Sequence, residues 1–429
     1  MDVLYKRALE IEHDIEEGLI DEHGLSRSSL NLDTMQPFSR GYFNGKDVYN
    51  YPDRSWDDFS EFISYENVGM CSGAFLAAMI CKYKATGDRK ALEKAYRTFK
   101  GIKWLFDLSQ EFEEGFYCKC YGGKLSEQIS SDQYIYTFAG LDLLMQFADR
   151  ETKSQIINMV EKMARFWMRR NYSYQYFGHD LNWPLERFPA FSWLAWIYTG
   201  KQEFLKEFNR LCSLDEVKEK IPFGQLSWNE LIHHTKTRKP VFHFEKKSPL
   251  RLLHINPENT ESGFLSLEPM LKYNAPHREI WLDKLSKMFN RDKRWIAEDG
   301  FARGKALYNI ETDEITEARE RMNISENGEW KFFGFIGYMR SAMWSAMFAR
   351  ATGAMDSYLP GSGGDKITKS ILTRLHSRSL HWFKDMDGRQ FPDDIKWIDR
   401  VYSGDAATHW LWAYWEAFPE YKKRQKIKT

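Results

Sequence analysis

The chain has 429 residues, with 61 lysines and arginines balanced by 61 aspartates and glutamates. The absence of net charge argues against a basic nucleic-acid-binding protein, and the apolar runs are far shorter than the ~20 residues of a membrane-spanning helix. Aromatic residues make up 16% of the chain, an excess that either fills a large core or lines a cleft.

Helix-period segments of two kinds recur along the chain, while strand-like alternation is scarce. The first kind is amphipathic: residues 88–108 place Leu92, Ala95 and Phe99 on one stripe, opposite lysines and arginines. The second kind, such as residues 66–84, is apolar nearly all round and carries small residues. Because a helix that is apolar on all sides is buried on all sides, we predict a set of outer helices and a set of inner helices.

The two kinds of helix alternate and form six outer–inner pairs. In chain order the predicted pairs are 1–19 with 61–85, 88–108 with 131–149, 151–171 with 185–199, 201–212 with 260–273, 277–291 with 331–352, and 365–384 with 404–418. Six such hairpins in a closed ring form an all-α (α/α)6 toroid, with the inner helices inside the outer ones. We expect residues 1–420 to form this single domain and residues 421–429 to form a basic tail.

The lengths of the connections predict which end of the ring is functional. Connections from an inner to the next outer helix are short, as at Thr86-Gly87-Asp88, whereas outer-to-inner connections such as 20–60 and 292–330 are long. All the long loops of such a ring emerge at the N-terminal ends of the inner helices. Long loops in a compact fold are usually functional or disordered, and the many Trp and Tyr residues in these loops argue against disorder.

Carboxylates stand near the starts of the predicted inner helices, beside aromatic residues. They are Glu66, Asp132, Asp180, Glu186, Glu258, Glu261 and Asp405. Stacking rings together with paired carboxylates suit a sugar, whose flat faces pack on aromatic rings and whose glycosidic bonds are cleaved by two acids.

The segment 130–134 (Ser-Ser-Asp-Gln-Tyr) opens the second inner helix. Ser and Asp are common helix caps, which is one explanation of the pattern. The other is chemistry, with Asp132 as a catalytic acid or base and Gln133 and Tyr134 as substrate-binding residues.

The segment 178–187 (Gly-His-Asp-Leu-Asn-Trp-Pro-Leu-Glu-Arg) precedes the third inner helix and is dense in functional residue types. We select Asp180 as a candidate catalytic partner of Asp132. His179, Trp183 and Arg187 are candidates for binding the sugar.

Loop 213–259 and the helix that follows supply the remaining candidates. Glu261 would face the same opening as Asp132 and is the second candidate partner for catalysis. Trp228 and His233 are candidates for substrate binding, because a ring and basic side chains suit an anionic sugar such as a uronate.

The helical rhythm, together with the Ala-Thr-Gly-Asp turn at 85–88, resembles the six-hairpin glycosidase superfamily over most of the chain. It looks most like the unsaturated glycuronyl and rhamnogalacturonyl hydrolases. This resemblance implies an (α/α)6 toroid that hydrolyses glycosidic substrates, with an aspartate near the start of an inner helix as general acid/base. Asp132 in Ser-Ser-Asp-Gln is the residue that matches that aspartate.

We therefore expect a glycoside hydrolase acting on an oligosaccharide, with a uronic acid as one option for its terminal sugar. Two alternatives stay open: a lyase with His179 or His233 as its base, and a toroid that binds sugars without catalysis. We expect no metal or other cofactor, no nucleic acid and no membrane among its partners, and the sequence leaves the oligomeric state open. The five cysteines show no disulfide or zinc-site spacing and no signal-type segment opens the chain, which favours the cytoplasm, although removal of a leader would leave the same start.

Overall fold

The computed structural model describes residues 3–43, 55–176, 179–222, 227–237, 249–254, 258–296, 300–303, 305–317, 339–382, 384–385 and 396–417. The α-helices of these residues are α1 Val3–Asp14, α2 Phe59–Tyr65, α3 Val68–Thr86, α4 Arg89–Ser109, α5 Ser131–Leu144, α6 Arg150–Arg169, α7 Pro189–Thr199, α8 Gln202–Ser213, α9 Asp215–Glu219, α10 Trp228–Thr237, α11 Glu258–Leu265, α12 Glu268–Lys272, α13 Arg278–Asp292, α14 Ala342–Asp356, α15 Gly364–Arg374 and α16 Gly404–Ala417. The strands are β1 Ser29–Asn31, β2 Cys120–Tyr121, β3 Lys124–Leu125, β4 Ser173–Tyr176, β5 His179–Asn182, β6 Leu250–His254, β7 Ala302–Arg303, β8 Lys305–Asn309, β9 Ile315–Glu317, β10 Met339–Ser341, β11 Lys384–Asp385 and β12 Val401–Ser403.

The helices form the predicted toroid. The outer helices are α1, α4, α6, α8, α13 and α15, and the inner ones are α3, α5, α7, α11 with α12, α14 and α16. Going round the inner ring, α5 packs on α3 and α11, α14 packs on α11 and α16, and α16 closes the ring against α3. These contacts confirm the (α/α)6 architecture.

Burial explains why the two kinds of helix occupy different rings. In α4 the stripe that includes Ala95, Phe99 and Ile102 is buried, while its lysines lie on the opposite side. In α3 every residue from 68 to 82 is buried, as expected for a helix with neighbours on all sides. None of the described helices is long and apolar enough to cross a membrane.

Two predicted helices differ clearly from the structure, one in where it begins and one in where it ends. We expected the fifth inner helix to begin at residue 331, but residues 339–341 are strand β10, and α14 begins only at Ala342. β10 pairs with β7 and β11, so its backbone groups are bonded across a sheet, and the Ser341 hydroxyl accepts from the Trp344 amide at 3.1 Å as the helix cap. Residues 331–338 lie outside the described residues, as does the predicted tail. The sixth outer helix, predicted to extend to 384, ends at Arg374.

The long loops form small antiparallel sheets that the sequence analysis did not predict. β2 pairs with β3, β4 with β5, and β8 lies between β6 and β9. β1 pairs with β12 through Ser29 and Ser403, which ties the first long loop to the start of α16. A second, smaller core that includes Leu253, Trp295 and Tyr308 lies beside β6 and β8.

Two glycines let α3 and α5 approach closely at the centre of the ring. A Cβ on Gly73 would lie 2.4 Å from the Tyr136 carbonyl oxygen, and one on Gly140 would lie 2.7 Å from the Gly73 carbonyl oxygen. We expect Gly73→Ala to lower the free energy of unfolding by about 1–3 kcal/mol, the usual cost of overpacking, although alanine is the better helix former.

The Gly73→Ala effect is measured by urea denaturation, with Gly353→Ala as its control. The added methyl of that control would lie 3.1 Å from the Thr368 hydroxyl, a longer distance than the 2.4 Å to backbone at Gly73, so its cost should be smaller. Equal stability of the two variants would contradict the packing argument.

Candidate functional site

The N-terminal ends of α3, α5 and α16 meet around the side chain of Asp405. This residue is 2% exposed and is the second residue of α16. Its Oδ2 accepts from the Asn67 amide at 3.0 Å, and its Oδ1 accepts from the Cys71 thiol at 3.1 Å. Because both donors come from the start of α3, the neighbouring inner helix fixes the orientation of the carboxyl group.

Burial is the largest of the causes that together raise the pKa of Asp405 to about 7; the hydrogen bonds from Cys71 and Asn67 oppose the shift, and the charges of Glu66 and Asp132 contribute to it. We call Glu66, Asp132 and Asp405 the carboxylate cluster. A carboxyl group with a pKa near neutrality is suited to give up a proton in a reaction at neutral pH.

Asp132 is half-buried at the start of α5, where the sequence analysis predicted it. The next residue, Gln133, has a different role from the predicted contact with substrate. Its side-chain oxygen accepts from the Gly69 amide at 2.8 Å and from the Met70 amide at 3.2 Å. It therefore satisfies two backbone donors in the first turn of α3, which have no partner within their own helix.

Arg187 contacts Ser131, the residue before Asp132, and lies against the ring of Trp183. The Arg187 Nη1 donates to the Ser131 hydroxyl at 2.8 Å, and its guanidinium lies 5.5 Å from the Trp183 ring centre. Burial lowers the pKa of Arg187 to about 10, and the charges of Asp132 and Glu186 act in the opposite direction. The guanidinium of Arg187 and the ring of Trp183 thus lie near the start of α5, where Asp132 is half-buried.

Lys119 is a residue of this region that the sequence analysis missed. It is 1% exposed, its ammonium donates to Glu66, and it lies 5.8 Å from the Tyr176 ring centre. It therefore brings a positive charge against the carboxylate cluster. No motif marks it, because its partners come from distant parts of the chain.

Several predicted site residues do not join the carboxylate cluster. Asp180 is exposed on β5, opposite Gln175 of β4, and its role as a catalytic partner stays a prediction. His179 forms the neighbouring pair with Tyr176 in the same hairpin, and its side chain lies outside the described residues.

Tyr134 is a core residue and not a contact for sugar. It is fully buried, its hydroxyl accepts from the Tyr117 amide at 2.8 Å and donates to the Gly115 carbonyl at 3.1 Å, and its ring packs on Trp167 of α6. Tyr134, two residues after Asp132 on α5, was predicted from sequence proximity alone, but the helix turns this side chain towards the outer ring.

Trp228 and His233 both belong to α10, next to the second small core. Trp228 lies 4.5 Å below the Arg294 guanidinium, and His233 is exposed. Among the described contacts neither residue touches the carboxylate cluster, and their roles in substrate binding stay predictions.

Glu261 lies deeper in the ring than predicted and is fully buried. The Tyr136 hydroxyl donates to its Oε2 at 3.0 Å, and the same oxygen lies 3.2 Å from the His409 Nε2. Burial raises the pKa of Glu261 well above its usual range. Its contacts are with Tyr136, His409 and Arg350, whereas the charge of Asp132 acts on Asp405, so Asp405 is the candidate partner of Asp132 that we take forward. The one sequence signal for Asp405 was its place near the start of an inner helix.

A narrow recess enters the ring from the opposite end, between α5 and α12. Its rim carries Asp142, which accepts from Tyr198, Lys272 and Tyr273, each at 2.5 Å. Because these polar groups already satisfy each other, this recess is the weaker candidate for a reaction site. Within the described part of the chain, no group of three or more His, Cys, Asp or Glu side chains is arranged to hold a metal ion.

Comparisons with known proteins identify the architecture. No family model and no curated protein matches the sequence. The structure is similar to an unsaturated glucuronyl hydrolase specific for heparin, with 11% identity, coverage of 98% of this chain and 96% of that one, and a TM-score of 0.52.

Two further solved structures are similar at the same level. Cellobiose 2-epimerase from Bacillus thermoamylovorans B4167 has 10% identity, coverage of 96% of this chain and 99% of that one, and a TM-score of 0.52. A D-mannose isomerase has 14% identity, coverage of 96% of both chains and a TM-score of 0.52. At these identities the likeness establishes the fold alone. Over nearly its whole length, the chain has the (α/α)6 toroid fold of these solved structures.

Proposed function

We propose that the protein is a carbohydrate-active enzyme, specifically a glycoside hydrolase that cleaves an oligosaccharide at the long-loop end of the ring. One observation supports this proposal: the buried carboxyl group of Asp405, held by Asn67 and Cys71, is within electrostatic reach of the half-buried carboxyl group of Asp132 and has a raised pKa. Two carboxyl groups in different environments can divide the roles of acid and base. The similar structures are those of a glucuronyl hydrolase, a cellobiose 2-epimerase and a D-mannose isomerase, which all act on sugars and support this proposal.

In the proposed reaction, Asp405 gives its proton to the glycosidic oxygen as the bond from that oxygen to the anomeric carbon breaks. Water forms the new bond to the anomeric carbon, and Asp132 takes the proton that the water loses. Exchange of protons with solvent then restores both groups. Arg187 is placed to bind a sugar carboxylate or hydroxyl, and Trp183 is placed to pack on a sugar face.

The proposal is tested by incubating the purified protein with a panel of saturated and 4,5-unsaturated oligosaccharides, both neutral and uronic. We expect release of a new reducing end, and loss of that release in Asp132→Asn with sugar binding retained. A new ultraviolet-absorbing double bond in the product would indicate a lyase instead. Conversion of one sugar isomer into another without cleavage would indicate an epimerase or isomerase, and binding without turnover would indicate a non-catalytic toroid.

The pKa of Asp405 predicts how activity and stability depend on pH. Activity should fall as the pH rises through about 7, because the acid loses its proton. The folded-state pKa is raised, so the stabilising contribution of Asp405 is complete below the pKa of an unfolded aspartate, about 4, and is lost as the pH rises through the folded value.

Urea denaturation at several pH values between about 4 and about 7 measures how the ionisation of Asp405 changes the free energy of unfolding. We expect the free energy of unfolding to fall less steeply with pH in Asp405→Asn than in the unaltered protein. Identical slopes for the two proteins would show that Asp405 does not titrate in this range.

A further inference from the structure

Side chains from three inner helices form a line of hydrogen bonds that ends at the carboxyl group of Asp405. Gln133 belongs to α5, Asn67 is the residue that precedes α3, and Asp405 is the second residue of α16. Because α3 packs against both α5 and α16, Asn67 lies between the other two side chains. Gln133 is 1% exposed, so it belongs to the interior and not to the surface of the site.

Two backbone groups fix the orientation of the Gln133 side-chain amide. One of its two terminal atoms lies 2.8 Å from the Gly69 amide nitrogen and 3.2 Å from that of Met70. Because a backbone amide can only donate, this atom must be the oxygen Oε1, and Nε2 points the other way. Gly69 makes the approach possible, since a Cβ at that position would lie 2.7 Å from the Gln133 Oε1.

The orientation of Gln133 selects the orientation of Asn67. The Gln133 Nε2 donates to the Asn67 Oδ1 at 3.5 Å, and the Asn67 Nδ2 donates to the Asp405 Oδ2 at 3.0 Å. The first of these bonds is long, but the opposite orientation of Asn67 would be unfavourable at both ends. It would place two N–H donors against each other at Gln133 and two oxygens against each other at an ionised Asp405. Both amides therefore donate towards Asp405.

A fixed amide treats the two protonation states of Asp405 differently. The ionised carboxyl group gains the hydrogen bond from the Asn67 Nδ2, and a bond to the charged form lowers a pKa. A protonated carboxyl group could instead donate its own proton to the Asn67 oxygen. That bond needs the Asn67 amide to turn over, and Gln133 opposes the rotation.

Several titratable groups also face Asp405 from the helices around it. They are Cys71 and Glu66 at or before the start of α3, Asp132 on α5, Glu261 on α11 and His409 on α16. The nearest described cations are Lys119, which pairs with Glu66, and Arg350 of α14, which faces Glu261. An uncharged replacement of Gln133 or Asn67 leaves all these groups in place, so its effect on Asp405 reports the hydrogen bonds.

We propose that Gln133 is a positioning residue for Asp405, because it holds the Asn67 amide with its Nδ2 towards that carboxyl group. The catalytic consequence rests on the proposed function, whereas the orientation of Asn67 does not. Gln133 acts through Asn67 and needs no contact with the sugar.

The positioning role is tested without substrate by carbon NMR titration of protein labelled at its aspartate carboxyl groups, with the Asp405 signal assigned through Asp405→Asn. In Gln133→Met the Asn67 amide can turn, so the titration midpoint of Asp405 should rise by about 0.5–1 pH unit, the effect of one ordinary hydrogen bond. Gln146→Met is the matched control, because Gln146 is exposed, and it should leave the midpoint unaltered. Equal midpoints in the two variants would overturn the proposal.

A double-mutant cycle shows whether Gln133 acts through Asn67. Asn67→Ala alone should raise the midpoint, and Gln133→Met should raise it no further in that background. Shifts that add in the double variant would overturn the proposal, because Gln133 would then act by another route. Gly69→Ala is a further variant that keeps the glutamine but displaces its Oε1, and an unaltered midpoint in this variant, shown to be folded by urea denaturation, would contradict the proposal as well.

Kinetics separate this inference from the proposed function. If Asp405 is the acid, the upper pH limit of activity in Gln133→Met should move to higher pH by the same amount as the NMR midpoint. A shifted NMR midpoint with an unaltered activity profile would support the orientation of Asn67 and overturn the catalytic role of Asp405. An unshifted NMR midpoint would overturn the positioning role of Gln133 even if the protein cleaves sugars.

Discussion

Replacing Asp405 with asparagine is expected to lower kcat by a factor on the order of 10² to 10⁴, the usual contribution of general acid–base catalysis. The amide has nearly the same volume as the carboxyl group but cannot release an acidic proton. Only one of the two donors, Asn67 or Cys71, keeps an acceptor, so the binding measurement also checks that the site keeps its shape. Steady-state kinetics on the best oligosaccharide of the panel measure the loss of kcat, and calorimetry measures the binding of the same oligosaccharide separately.

The matched control for this prediction is Asp215→Asn. Asp215 is at the start of α9, and its side chain is 87% exposed, so the same chemical change should leave kcat and binding unaltered. Turnover by the Asp405 variant at the rate of this control would remove Asp405 from the proposed mechanism.

Replacing Arg350 with leucine is expected to lower the free energy of unfolding by about 3–5 kcal/mol, the cost of leaving buried partners without their counter-charge. The Arg350 side chain is 1% exposed and contacts Glu268 and Glu416. Its guanidinium also stacks 3.8 Å from the Trp412 ring centre. Leucine would fill part of the volume but would leave the carboxyl groups unpaired.

The pH dependence separates lost charge from lost packing in the Arg350 variant. Glu416 already has its pKa raised to about 7 by burial, although the charge of Arg350 opposes this. Without Arg350 the carboxyl groups should bind protons more readily, so the loss of stability should be smaller at low pH than at pH 8. Arg97→Leu is the control, because Arg97 forms an exposed pair with Glu16 of a kind worth about 0–1 kcal/mol. Equal losses at all pH values would indicate a packing effect alone.

The ring could be predicted from the sequence because burial leaves a direct pattern in it. A helix with one wet face, such as α4, needs an apolar stripe, and a helix with none, such as α3, does not. The lengths of the connections then predict which end of the ring carries the long loops. Local hydrogen bonding is less visible in a sequence, so the strands of the long loops, including β10 before α14, were missed.

For the candidate site, the sequence predicts which residues lie near helix starts, but not which of them contact one another. Asp132 and Arg187 lie near the starts of inner helices. The topology places all these helix starts at the long-loop end of the ring. Asp180 and Glu261 also lie near the predicted starts of inner helices. In the structure Asp180 is exposed on a hairpin, and Glu261 is fully buried inside the ring. The importance of Asp405 depends on Asn67 and Cys71, more than 330 residues away along the chain, and no local pattern reports such a contact.

A crystal structure of Asp405→Asn with a bound oligosaccharide tests the central claim most directly, because this variant should bind substrate without cleaving it. We predict that a glycosidic oxygen lies within hydrogen-bonding distance of residue 405, with Asp132 on the same sugar unit and Arg187 or Trp183 in contact with it. A sugar bound instead at the opposite recess, beside Asp142 and Lys272, would contradict the account.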